Sequence, residues 1–462
     1  MQPLVEKVSK WGKVGKVFAV LSTLVLLSGA IAYTWTGLPS GAANYPRFKK
    51  AALDAGLFFT EAKVLELNKV PEAENAASIL QKIEVPKIEN RYELTLELLN
   101  DKWKDIEPGL RQLEIASRKK YLVSHWKFDG QQMAYYESPK ALNRADSWSS
   151  LLYDVEKPLL ETPNDPRLLR CLNVATYIAT VAAGDHTYNG VVVRASATGR
   201  VEYVVRKLIP KCSKYPELLP FIDQILHRLD MPYDLANMLR VENFRGATEV
   251  DNIMKPNKGE KGLENDDVGG IMELRHGPSL PRFREANLAR IHEYFSSVAV
   301  KLPKDPFDME GMKLAFDSGN PVIEREDWSA AVLTRGMNPP YGLPRRIQAE
   351  QANRNTLMQA VAILKAHADP AKGLLLGGRY RWDRDGHSIR ITKQSKGWVV
   401  YSIGNNRTDE GGLDATGTSS ARDYVAHLTM ATVPPEPPKA IQPKKAPKAP
   451  AGPYVPAYGS GD

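Results

Sequence analysis

The sequence predicts a mainly α protein: a membrane-anchored helical array with a small C-terminal β-hairpin module and a disordered tail. Three observations carry this. An uncharged apolar run occupies 17–38, apolar residues recur at three- and four-residue spacing through much of 46–372, and strand-like alternation begins only near residue 388. With 43% hydrophobic and 25% charged residues over 462 positions, the chain can bury a core, which excludes a wholly disordered or collagen-like protein.

The N-terminal run reads VFAVLSTLVLLSGAIAYTWTGL. As a helix it spans about 33 Å at ~1.5 Å per residue, enough for the hydrocarbon of a bilayer. Tyr33 and Trp35 lie near its outer end, where amphipathic rings favour the interface. Lys7, Lys10, Lys13 and Lys16 precede it in a basic segment, 1–16. That bias predicts a cytoplasmic N-terminus and a single pass through the inner (cytoplasmic) membrane, with the body facing the periplasm or cell exterior. The short core 17–27 and Ala30-Ile31-Ala32 also suit a cleaved signal sequence, which delivers the body to the same side.

A helical domain is expected over 46–254. Asp165 can cap a helix opened by Pro166, with Leu168, Leu172, Ala175, Ile178, Ala179 and Ala182 on one face and Gly184 beyond it. Leu218, Ile222, Ile225, Leu226 and Leu229 mark another, closed by Asp230 and Pro232. Further helices are expected at 71–83, 90–100, 106–121, 147–160, 198–209 and 233–254, joined by short links that suggest antiparallel packing. Residues 255–280, rich in Gly, Asn, Asp and Lys, read as a loop or hinge. A helical segment follows over 281–372, with helices at 282–300 and 347–368. The second carries Leu357, Ala360, Val361, Leu364 and Ala368 on one face.

A small β-containing module is expected over 373–433. Residues 388–392 alternate, Ser395-Lys396-Gly397 makes a turn, 398–403 returns, and 423–428 supplies a third short strand. The last stretch, 434–462, holds nine prolines in 29 residues and reads as a disordered Pro/Lys tail with polyproline II character.

The formal net charge is +8, but five of those charges sit in the basic segment and the tail. The body has too little excess charge for a phosphate-binding surface, so no nucleic acid partner is expected. The membrane and an unidentified protein partner are.

Chemistry-bearing residues are sparse. Cys171 and Cys212 are the only cysteines; they can pair in an oxidising compartment, while the apolar helical face around Cys171 argues for burial as a thiol. None of the eight histidines has a partner at zinc-protease spacing. There is no G-x-S-x-G, Walker A, H-E-x-x-H or dinucleotide fingerprint, so no catalytic residue is assigned and the chain does not read as an enzyme. The alternative is an enzyme whose site is built from scattered residues. Asp383-Arg384-Asp385-Gly386-His387 reads as a charged β-turn before a strand, against an alternative as an acid/base or metal cluster.

Two short motifs remain. One is Tyr401-Ser402-Ile403-Gly404-Asn405-Asn406-Arg407-Thr408-Asp409-Glu410-Gly411-Gly412 with Asp423 eleven residues on; the other is Glu74-Asn75-Ala76-Ala77. Both resemble features of uncharacterised single-pass membrane-anchored proteins of planctomycete-type bacteria. The first is also similar to the C-terminal loop of the type II secretion major pseudopilin. That resemblance implies a relation to secretion or pseudopilus assembly as an alternative function, and calcium held by Asp409, Glu410, Asp414 and Asp423. The chain departs from the pseudopilin in lacking a prepilin-type start and in the large helical body between anchor and hairpin.

Overall fold

The computed structural model describes residues 21–31, 38–89, 91–123, 139–254, 280–323, 342–383, 385–395, 397–404, 408–412 and 423–428. The basic segment, much of the apolar run, the 255–280 stretch up to residue 279, Asp414 and the Pro/Lys tail lie outside these residues. Within the apolar run, 21–31 is helical. No described helix is long and apolar enough to cross a membrane, so the anchor stays an expectation.

Helix α1 (Leu38–Asp54) packs along α10 (Leu280–Lys301). A Cβ at Gly41 would lie 2.8 Å from the Ala286 Cβ, so glycine permits this close approach. One turn on, Tyr45 stacks on His292 at 6.1 Å between ring centroids, which makes the two helices parallel.

The next helices are α2 (Glu61–Leu67), α3 (Ala77–Leu80) and α4 (Leu96–Ala116). The expected 71–83 helix is only a 3₁₀ turn and the four residues of α3. Asn75 interrupts it: its Oδ1 accepts from Val123 N and Ala77 N, both at 3.1 Å, and its Nδ2 donates to Val123 O at 2.8 Å. The Asn75-Ala76 pair thus serves as a clamp on the distant 121–123 strand-like segment, also held by Ala76 N to Tyr121 O. The two helices expected at 90–100 and 106–121 are one. Thr95 caps α4 through Leu98 N at 3.2 Å, and Ile106, Leu110 and Leu113 carry its buried face through Pro108.

Helices α5 (Pro139–Leu159), α6 (Pro166–Val181), α7 (Tyr188–Leu208), α8 (Leu218–Leu229) and α9 (Leu235–Met254) follow. Asp165 caps α6 as expected, accepting from Arg167 N at 2.9 Å. Helix α7 starts ten residues earlier than its apolar spacing suggested, capped by Thr187 on Gly190 N at 3.0 Å. The reason is that it is buried on several faces, so no single apolar stripe marks its first half.

Helices α11 (Met309–Asp317), α12 (Asn320–Ile323) and α13 (Leu343–Lys365) complete the array. The β module forms as expected: β1 (Arg390–Gln394), β2 (Gly397–Ser402) and β3 (Tyr424–Leu428) make an antiparallel sheet in the order β1-β2-β3. Ile391 faces Val400, and Val400 faces Ala426, so the same residue of the central strand registers both edges.

Among the described residues two large cores form, both joining segments remote in sequence, beside a small cluster of Val399, Tyr401 and Val425 within the sheet. The larger runs from α3 through α8 and takes in Leu357, Val361, Ile389, Val400, Ala426 and Leu428 from α13 and the sheet. The second unites Ala52 and Leu57 with α9, α10, α11 and Ile347. Helix α13 touches both, with β2 and β3 on one side and α7 and α8 on another. Cys171 and Cys212 are buried free thiols, which decides that pair for burial rather than a disulfide.

Candidate functional site

Helix α13 carries a run of buried polar side chains from Gln348 to Gln359. Its amides hold the chain that leads to the sheet. Gln359 accepts from Leu375 N at 3.2 Å and Leu376 N at 3.0 Å, and donates to Leu376 O and Tyr380 O at 2.8 and 3.0 Å. Asn355 Nδ2 donates to Arg379 O at 3.0 Å and Trp382 O at 3.1 Å. Thr356 Oγ1 reaches Ser402 Oγ at 3.0 Å, fastening β2 to the same helix.

Beneath these amides lies a charged network. Arg354, 1% exposed, donates from Nε to Glu202 at 3.1 Å, from Nη2 to Glu350, and from Nη1 to Leu229 O at 2.8 Å. Tyr233 donates to Glu350, and Asn353 to Glu202. The C-terminal end of α8 would leave carbonyls without helical partners. Guanidiniums cover this end: Arg354 takes Leu229 O, the last carbonyl of α8, while Arg194 takes Met231 O and Pro232 O of the chain just beyond it and lies 4.0 Å from the Tyr233 ring centroid. Asp230, which closes α8, accepts from Arg379 at 2.6 Å and from the Tyr380 hydroxyl at 2.7 Å. Burial pushes the Glu202 carboxyl up to about 7, although Arg354 pulls the other way. Burial also works against the Arg354 charge, but Glu350, Glu202, Tyr233 and Asp230 together hold it protonated.

Between the start of α11, α13 and the 378–386 turn opens a cleft of about 250 Å³. Phe307 and Trp382 give it aromatic walls, Gln348 and Gln351 a polar floor, and Asp308, Glu310, Asp383 and Asp385 four carboxyls. The Arg379 guanidinium lies 3.3 Å from the Phe307 ring centroid, pinned there by Asp230. Asp383 to His387 is the turn its sequence suggests. Asp383 Oδ1 accepts from Asp385 N and His387 N, each at 2.9 Å, and Gly386 takes a φ of 80° that a side chain would strain. Asp383 Oδ2 has no hydrogen-bond partner; His387 Nδ1 is 3.5 Å away.

Of the four acids expected to hold calcium, Asp409, Glu410 and Asp423 are described and Asp414 lies outside the described residues. Asp409 forms an ion pair with Arg390 of β1. Asp423 is buried and accepts from Gly412 N at 2.9 Å, while Asp409 also turns back to Gly411 N at 2.9 Å. Burial pushes the Asp423 carboxyl up to about 6; the Gly412 N–H opposes this, and neighbouring Glu410 adds to it. The loop therefore brings Glu410 and Asp423 together and gives Asp409 to a cation. Among the described residues no three acidic, histidine or cysteine side chains are grouped to hold a metal. A thermal melt tests the expected site: a rise in midpoint at millimolar calcium that Asp414→Asn abolishes supports it, and no shift counts against it.

Asp423 ties the loop to the sheet. Asp423→Ala strips the acceptor from a buried N–H and is expected to cost about 1–3 kcal/mol, whereas Asp423→Asn keeps an acceptor and costs less. Urea unfolding of the two variants reads the difference.

The sequence motifs did not single out α13, the network or the cleft as a site. One signal pointed there: the Asp383–His387 constellation, read as a turn, also lines the cleft. No protein-family model, curated protein or solved structure matches the chain. The functional reading therefore rests on geometry alone.

Proposed function

We propose that this protein is a membrane-tethered binding protein, held on the outer face of the cytoplasmic membrane by its N-terminal segment and engaging a partner through its helical body. The observation that carries the tether is the helix at 21–31. Leu21, Leu24, Val25, Leu26, Leu27 and Ile31 are 52–74% exposed there, within a stretch that has no charge from 17 to 38. A surface so apolar on consecutive turns is unfavourable in water and stable in lipid. Helix α1 begins at Leu38 and is docked along α10, so the tether leads into the second core with little slack. The cleft supports the binding role: its walls come from three separate elements, and the amides of α13 fix its 378–386 side.

Carbonate washing of membranes from cells making the full chain tests the tether. The protein is expected in the pellet, and a chain lacking 1–31 in the supernatant. Release of the full chain, or a mature N-terminus following Ala32, overturns the retained tether.

A further inference from the structure

Resting on the binding role just argued, we propose that the cleft between α11, α13 and the 378–386 turn receives a primary ammonium group, from a small amine or from a lysine side chain of the partner. The first support is Asp383. Its side chain is 1% exposed, yet Oδ2 has no hydrogen-bond partner. A buried carboxylate oxygen left without a donor is costly, and such groups in native folds call for an explanation. An ammonium supplies three donors and the opposite charge.

The second support is hydrogen-bond polarity. Gln348 Nε2 is committed to Met309 O at 2.8 Å, Gln351 Nε2 to Asn355 Oδ1 at 2.8 Å, and Asn355 spends both N–H groups on the turn. One N–H of each glutamine and both of Asn355 are thus used inside the protein, and the carboxyls make the lining rich in acceptors. Among the described lining residues four carboxyls stand with two cations, Arg379 and Lys313. Arg379 is committed to Asp230 and to the face of Phe307, leaving Lys313 alone on the α11 wall. The third support is Trp382, 49% exposed at the cleft, whose ring face attracts a cation. The volume, about 250 Å³, suits one side chain or one small amine rather than a folded peptide.

Isothermal titration of the detergent-solubilised full chain tests this. The probes are butylammonium chloride, sodium butyrate, and an acetylated peptide with one lysine alongside its acetyl-lysine form. Saturable binding of butylammonium, of the lysine peptide, or of both supports the proposal. Binding of the peptide alone assigns the cleft to a partner's side chain, and of the amine alone to a free ligand. Asp383→Asn keeps the Oδ1 acceptor of the turn and is expected to weaken binding at least about tenfold, since one charge-assisted bond is lost. Trp382→Ala, at an exposed position, is expected to weaken it several-fold without unfolding the chain. Binding of butyrate in preference to the amine, equal binding of acetyl-lysine, unchanged binding by Asp383→Asn, or no binding of either amine overturns it. Loss of membrane retention, by contrast, strikes the tether and leaves the cleft's chemistry untouched.

Discussion

Arg354→Met is expected to destabilise the protein by about 3–5 kcal/mol, the usual cost of removing one partner from a buried ionic network. The guanidinium is 1% exposed and serves Glu202, Glu350 and the last carbonyl of α8 at once. Methionine fills much of the volume but leaves two buried carboxyls facing each other. Equilibrium urea unfolding followed by circular dichroism measures the loss; a change under 1 kcal/mol would sink the network as a structural element. The loss also carries a pH signature. Glu202 titrates at about 7 in the folded state, above its ordinary 4.5, because burial penalises its charge. The folded state therefore binds that proton more tightly than the unfolded state. Its contribution is fully present below about pH 4.5 and disappears as pH rises through about 7. Removing Arg354 strips the cation that eases the charged form, so the variant's deficit is expected to be larger at pH 8 than at pH 5. Adding Glu202→Gln and Glu350→Gln to Arg354→Met is expected to recover stability at pH 8, because neutral amides no longer need a counter-charge.

The same residues show what was legible before the structure. Asp165-Pro166 and the 3–4 spacing of Leu218 to Leu229 announce their helices because capping chemistry and a one-sided apolar face are local properties. The alternation at 388–403 and the third strand are legible for the same reason, since one face of the sheet meets α13. Helix α13 is recognisable as a helix from Leu357, Ala360 and Val361, but its role is not. Gln351, Arg354, Asn355 and Gln359 look like an exposed polar face in one dimension, and become the centre of the molecule only because α7, α8 and the sheet close over them. The acidic loop hides its environment in the same way. Asp409 and Asp423 read as equivalent acids, yet Arg390, nineteen residues before Asp409, pairs with one of them and the other is buried. Ion pairing and burial are non-local, and no spacing rule encodes them.

Trp148→Ala is expected to cost about 3–5 kcal/mol, and its interaction with Gly109 to be the clearest coupling in the larger core. Trp148 is fully buried on α5, and its ring edge lies where a Cβ at Gly109 of α4 would stand, 2.4 Å away. Pro108 and Gly109 sit inside one continuous helix, and the missing side chain of Gly109 makes room for the indole. Truncating the indole leaves a cavity that α3, α4 and α5 cannot fully close. Gly109→Ala alone pushes a rigid, fully packed ring and is expected to cost about 1–3 kcal/mol despite alanine's better helix propensity. In the Trp148→Ala background the clash is gone. There the same substitution is expected to stabilise, by the ~1 kcal/mol that alanine gains over glycine within a helix plus part of the cavity it fills. A double-mutant cycle by urea unfolding reads the change of sign, and additive costs at the two sites would show that α4 and α5 do not meet through this pair.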